Sequence, residues 1–371
     1  MVEPRVYDAM SKPVVGHLDP FFFEVTQSVK TGLNLCFGTD NAFTVAMSAT
    51  GSGGMETAIA NFVEPGSKFV VFANGYFCDR MAEMGRRQQA NVVRFDKPWG
   101  ESWTNQEMRD FILAEKPNVV AYVAAETSTG CWTDGSAICE AAHEVGALVI
   151  ADCVTALGSM PIDFDKTGID IAYSCSQKGM SCPPGLSPFT VSARALDWLK
   201  NRKSIIPTWY LDVQLLSEYF GGAKRYHHTA PITAFYALHE GLSIILEEGL
   251  EARFSRHRKN RNAFVAGIEA MGMEMHVADG HRLWNLMTPK VPEGISDMAI
   301  RKHLMDNYGV EILGGFGELA GKVFRIGLMG VLATEKDTLF LLEKFEEALR
   351  AQGFVPKASA VPAAKAVYAG A

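Results

Sequence analysis

Between about residue 40 and residue 200 the chain alternates short, almost wholly apolar runs with amphipathic stretches of helix length. No other feature restricts the fold as much. "SKFVVFANG", "ANVVRFD", "NVVAYVAAET" and "ALVIADCV" have strand length and are too continuously apolar to keep one face in water. "MAEMGRRQQA", "NQEMRDFILAEK" and "AICEAAHEVG" lie between them and read as helices. Strands buried on both faces and separated by helices imply a parallel sheet with crossover helices. In such a sheet, ligands gather beyond the carboxyl ends of the strands, so the residues after each strand are the ones to inspect.

The texture changes near residue 235. "TAFYALHEGLSIILEEGLEARFSRHRKNRNAFVAGIEAMG" reads as a long helical link. "HRLWNLMTP", "DMAIRKHLMDNYG", "VEILGG", "KVFRIGL" and "TEKDTLFLLEKFEEALRAQG" follow it and read as a small α+β domain. A chain of 371 residues is too long for one small core. The expected division is an N-terminal arm with a large domain over 1–248 and a small domain over 249–355. The last stretch, 356–371, "PKASAVPAAKAVYAGA", is expected to be a frayed tail.

Composition narrows the function classes. A net charge of −7 lacks the excess of Lys and Arg that a phosphate-backbone surface needs, which argues against nucleic acid. No apolar run reaches membrane-spanning length, and "MVEPRVYDAM" lacks the basic-then-apolar order of a signal peptide. The seven cysteines form no CxxC pair and no zinc spacing, so reduced thiols and a cytoplasmic location are expected. His227 and His228 are adjacent, point in different directions and lack a third ligand, so no metal site is expected.

Three features can carry chemistry. "ATGSGGMETAIANFVEPG" places Thr50, Gly51 and Ser52 at a glycine-rich helix start, where free backbone N–H groups and hydroxyls suit a phosphate. It is neither GxGxxG, since Glu56 stands at the last glycine position, nor a P-loop; alone, it also fits a flexible turn. Asp152 closes the buried run "ALVIAD", where a carboxylate is costly to desolvate without a cationic partner. Lys178 follows "GIDIAYS" in the small-residue run "YSCSQKGMSCPPG"; by itself it would be a lysine on a turn. A phosphate cup, a buried acid and a lysine at neighbouring strand ends together suit pyridoxal phosphate. That cofactor forms a Schiff base with lysine, and its ring nitrogen needs an acid partner.

"ADCVTALGSMPIDFDKTGIDIAYSCSQKGMSCPPGLSPFTVS" closely resembles the cofactor segment of the class V aminotransferases, specifically their alanine–glyoxylate and serine–glyoxylate group. "ATGSGGMETAIANFVEPG", "FANGYFCDR", "AAETSTG", "YHHTAP" and "GKVFRIGLMG" extend the resemblance, in the family's order, over nearly the whole chain. It implies the fold of the type I pyridoxal-phosphate transferases, with a mostly parallel central sheet and a smaller C-terminal domain. It also implies residue roles. Lys178 would carry the cofactor and shuttle the proton, while Asp152 would pair with the ring nitrogen. Val154 and Phe77 would pack on the two ring faces, and Thr127 would meet the phenolic oxygen. Thr50, Gly51, Ser52 and Gln177 would hold the phosphate. Tyr226 and Thr229 would reach the phosphate of a neighbouring subunit, making the protein a homodimer. Arg325 would clamp the substrate carboxylate with a bidentate fork that lysine cannot copy. His17 is expected to be structural or to line the entrance.

The chain departs from the family pattern in two places. The sequence starts at "MVEPRVYD", where members usually carry a preceding Gly-Pro-Gly-Pro turn; either the start is truncated or the turn is missing, which leaves one wall of the acceptor pocket undefined, and Ser52 stands where some relatives carry His. The implied reaction moves an amino group from a small amino acid, alanine or serine favoured, to glyoxylate. Other donors remain open, among them aspartate and ureido- or phosphonate-bearing amines. So do a desulfurase, ammonia-lyase or aldolase on the same fold, and a binding protein that has kept the fold without catalysis.

Overall fold

The computed structural model describes residues 1–221 and 223–370. Its strands, in chain order, are β1 (Phe43–Met47), β2 (Lys68–Ala73), β3 (Asn91–Asp96), β4 (Val119–Val123), β5 (Ala125–Glu126), β6 (Cys131–Trp132), β7 (Leu148–Asp152), β8 (Ile171–Tyr173) and β9 (Ser187–Val191). β10 (Leu286–Met287), β11 (Leu313–Gly314) and β12 (Phe324–Gly327) follow near the C-terminus. Seven of them form one sheet in the order β1-β9-β8-β7-β4-β2-β3. The pairs β2–β3, β2–β4, β4–β7 and β7–β8 are parallel, as the alternation of apolar runs and helices requires. β9 runs against both neighbours. Residues 174–186, which join it to β8, contain no helix, and a parallel return needs a crossover of a dozen or more residues, usually helical.

The near-continuous apolar runs have a direct cause in the layers. Val70, Phe72, Val120, Tyr122, Val149 and Ala151 point into a cluster on one side of the sheet, with Phe22, Val29 and Leu33 of the helix Pro20–Phe37. Their neighbours Phe69, Val71, Val119, Ala121, Leu148 and Ile150 point into a second cluster on the other side. Alternate side chains of a strand therefore both find a core. β3, paired on one edge only, is the strand left half-exposed.

The long helical segment is broken at Gly249, whose φ of 82° is strained for any residue with a Cβ. Helices Ile232–Glu248 and Leu250–Ala270 lie on either side of the break. A third cluster, with residues from Ala263 to Ala364, packs around the antiparallel sheet β10-β12-β11.

The frayed tail expected from composition is corrected here. Ala360–Ala369 is a helix, with Ala360 and Ala364, one turn apart, fully buried in the third cluster. Glu346 fixes its start by accepting from the Ala360 N–H at 2.9 Å and the Ser359 hydroxyl at 3.0 Å. Small side chains allow the close approach, and the capping carboxylate comes from another helix.

Candidate active site

The carboxyl ends of β4, β7 and β8 lie side by side, with Val123 in register with Asp152 and Asp152 with Tyr173. The Asp152 carboxylate is 3% exposed and held at both oxygens. Oδ1 accepts from the Val154 N–H and Oδ2 from the Tyr173 hydroxyl, each at 2.8 Å. Desolvation dominates these two bonds and pushes the carboxyl up to about 7, the nearby Glu126 adding to the rise.

The glycine-rich start of the helix Gly51–Phe62 packs against these strand ends. A Cβ at Gly54 would come within 2.1 Å of the Ser187 Oγ and 3.2 Å of the Tyr173 Cβ, so glycine is what lets the helix approach β8 and β9. Thr50, Gly51 and Ser52 thereby reach the same edge of the sheet as Asp152. Lys178 joins them from the loop after β8. Burial pulls its amine below the ordinary lysine range, and the Arg325 guanidinium pulls the same way.

Thr50, Gly51, Ser52, Phe77, Thr127, Asp152, Val154, Gln177 and Lys178 all line one cleft. Arg325, on β12, stands at its edge: Nε donates to the Gly314 carbonyl at 2.8 Å, and Nη1 donates to the carbonyl of the cleft residue Thr127 at 3.3 Å. The Phe316 ring covers the guanidinium at 3.8 Å, and burial lowers its pKa to about 10. Tyr226 and Thr229 do not line the cleft. Both are exposed, Tyr226 at 57%, and the Tyr226 ring lies 5.0 Å from that of His17. His227 and His228 do not diverge as expected for sequence neighbours but face each other through Nδ1 atoms 2.8 Å apart, and His228 Nε2 contacts the Ser48 hydroxyl at 2.7 Å.

The aminotransferase class-V family profile matches residues 15–324. The chain belongs to the class V aminotransferases. It is 36% identical to alanine–glyoxylate aminotransferase of Oryctolagus cuniculus over 94% of this chain and 90% of that protein. The solved alanine–glyoxylate aminotransferase of Nostoc sp. superposes with a TM-score of 0.92 at 42% identity, covering 94% of this chain and 93% of the other. Ureidoglycine–glyoxylate aminotransferase of Bacillus subtilis superposes at 0.96 with 35% identity, covering 99% and 95%.

Several residues of this class V aminotransferase escaped the reading of its sequence. Tyr173 lay inside a run taken as buried strand, although an in-register neighbour of Asp152 is well placed to bond it. Arg80 lines the cleft and stands one helical turn after Phe77. Glu126 is fully buried behind Phe77: it accepts from the Phe77 N–H at 3.2 Å and the Ser128 hydroxyl at 2.6 Å, and burial raises its pKa. Arg253, 3% exposed, donates to the carbonyls of Gly158 and Gly179 at 2.7 and 2.6 Å and pairs with Glu248 at 2.7 Å. It thus pins the loop after Asp152 to the loop after Lys178.

Proposed function

We propose that the chain is a pyridoxal 5'-phosphate-dependent transaminase that moves the amino group of a small amino acid, alanine or serine favoured, to glyoxylate. The observation that carries this reading is the shared cleft of Asp152, Lys178 and the Thr50–Ser52 helix start. Its donor set fits the cofactor: an amine with lowered pKa, a buried carboxyl held by two donors, and hydroxyls with N–H groups at a helix start. Bound there, the cofactor would supply a carbonyl for amino transfer and an electron-accepting ring. Lys178 would anchor it, Asp152 would pair with its ring nitrogen, and Thr50, Gly51, Ser52 and Gln177 would hold its phosphate. Phe77 and Val154 would pack on the ring faces, with Thr127 at its phenolic oxygen.

The Lys178 Nζ, deprotonated more readily than an exposed lysine, would take the proton from the substrate Cα and deliver it to the cofactor's carbonyl-derived carbon. Arg325 binds the substrate carboxylate with the N–H edge left free by Gly314 and Thr127. One such arginine favours monocarboxylic donors. The keto acid leaves before glyoxylate enters and departs as glycine, which makes the kinetics ping-pong. Relatives named for alanine–glyoxylate and ureidoglycine–glyoxylate transfer support glyoxylate as acceptor.

The cysteines favour transfer over a desulfurase. All seven are buried free thiols. Cys175, near Lys178, is pushed up to about 12 by burial, which keeps it from acting as a nucleophile near neutral pH. Unpaired thiols also support a reducing compartment, the cytoplasm, and among the described residues no helix is long and apolar enough to cross a membrane. Exposed Leu18, Trp209, Tyr210 and Tyr226 around the "YHHT" segment support a homodimer in which Tyr226 and Thr229 serve the neighbouring subunit's cofactor.

A donor-by-acceptor matrix of half-reactions, followed by cofactor absorbance, tests the reading. Alanine or serine is expected to convert the cofactor to its amine form, and glyoxylate to restore it. Release of ammonia or sulfide without a matching keto acid would overturn it.

A further inference from the structure

We infer that Arg80 is the counter-charge for the cofactor's phosphate. The inference rests on the reading of the cleft as a pyridoxal phosphate site and adds a residue that the sequence did not assign.

A phosphate monoester brings close to two negative charges at neutral pH, and a partly enclosed cleft must oppose them. The proposed cup offers neutral groups: the hydroxyls of Thr50 and Ser52, the Gln177 amide and the N–H groups of a helix start. A helix N-terminus supplies only about half a positive charge. Among the described residues lining the cleft, Arg80 and Lys178 are the cations. Lys178 would be taken up by the covalent link and, once released, by proton transfer, and Arg325 stands at the cleft edge with two donors already taken by carbonyls.

Arg80 is placed for the task. Its Nη1 donates to the Ser52 Oγ at 2.8 Å, so the guanidinium already touches one of the proposed phosphate ligands. Its plane is steadied by the Phe77 and Tyr76 rings, with centroids 5.0 and 5.5 Å away. Asp79, next to it in sequence, pairs instead with Arg94, which also takes Asp96. Among the described residues no carboxylate forms an ion pair with Arg80. An arginine serving only the fold would resemble Arg94 or Arg253, with its donors spent on carboxylates and carbonyls. Arg80 has one hydroxyl partner and keeps the rest of its fork for an anion.

The test compares two ligands on the cofactor-free full-length chain: pyridoxal phosphate, and pyridoxal, which keeps the ring and aldehyde but lacks the phosphate. Dissociation constants are measured by protein fluorescence quenching for the wild type, Arg80→Gln and Arg80→Lys. Arg80→Gln is expected to weaken pyridoxal phosphate at least tenfold and to leave pyridoxal within twofold. Arg80→Lys is expected to fall between, and inorganic phosphate to compete more weakly against the Arg80→Gln variant. Equal losses for both ligands, or none for either, would overturn the inference while leaving the cofactor assignment intact. Failure of the wild type to bind pyridoxal phosphate would overturn both.

Discussion

The Tyr173 hydroxyl donates a 2.8 Å hydrogen bond to Asp152 Oδ2 across the parallel pair β7–β8. Both side chains are buried at the strand ends, and burial raises both pKa values, that of Asp152 to about 7. Burial makes Asp152 an acid that is reluctant to ionise without a cation beside it.

This has a consequence for the cofactor-free chain. The Asp152 carboxyl titrates at about 7 in the fold against 3.8 when unfolded. Its contribution to stability is therefore complete below about pH 4 and is lost as pH rises through 7. The ceiling on the loss is on the order of 4 kcal/mol. Asp152→Asn removes the titration. The melting temperature of the cofactor-free variant is expected to rise relative to wild type from pH 5 to 8. A difference that stays constant with pH contradicts the assignment.

Arg325→Lys keeps the charge and loses the planar fork. KM for the amino donor and for the keto acceptor are both expected to rise, by about tenfold or more. Steady-state kinetics with alanine and glyoxylate check this. Unchanged KM values would mean that the carboxylate binds elsewhere.

Arg253 predicts a different signature. Lysine cannot cap the Gly158 and Gly179 carbonyls while also reaching Glu248. A buried carbonyl left without a donor costs about 1–3 kcal/mol. Arg253→Lys should lower the melting temperature and cut kcat roughly tenfold, because the Lys178 loop shifts, with KM within about twofold. A variant that melts lower but keeps its kcat would confine Arg253 to the fold.

The strand-end residues were legible because period and burial leave clear marks. A carboxylate at the end of "ALVIAD" and a lysine after "GIDIAYS" stand out against apolar runs. Arg253 left no such mark: the carbonyls it caps are 95 and 74 residues away in the chain. Arg80 closes the run "FANGYFCDR" with nothing in the sequence to give it a role, and only the fold turns it toward Ser52. The helix Ala360–Ala369 was misread because alanine and proline suggest a loose end, whereas Ala360 and Ala364 share a face that a neighbouring helix covers. β9 lay outside the alternating pattern, and its reversed direction comes from the helix-free loop that carries Lys178.

The central claim is that Lys178 is the residue joined to the cofactor. The most direct measurement is reduction of the protein with sodium borohydride in the presence of pyridoxal phosphate, followed by digestion and mass spectrometry. The account expects a single phosphopyridoxyl group on the Lys178 Nζ, and no stable label on a Lys178→Ala variant. A label fixed on any other lysine, or none on the wild type, would contradict it.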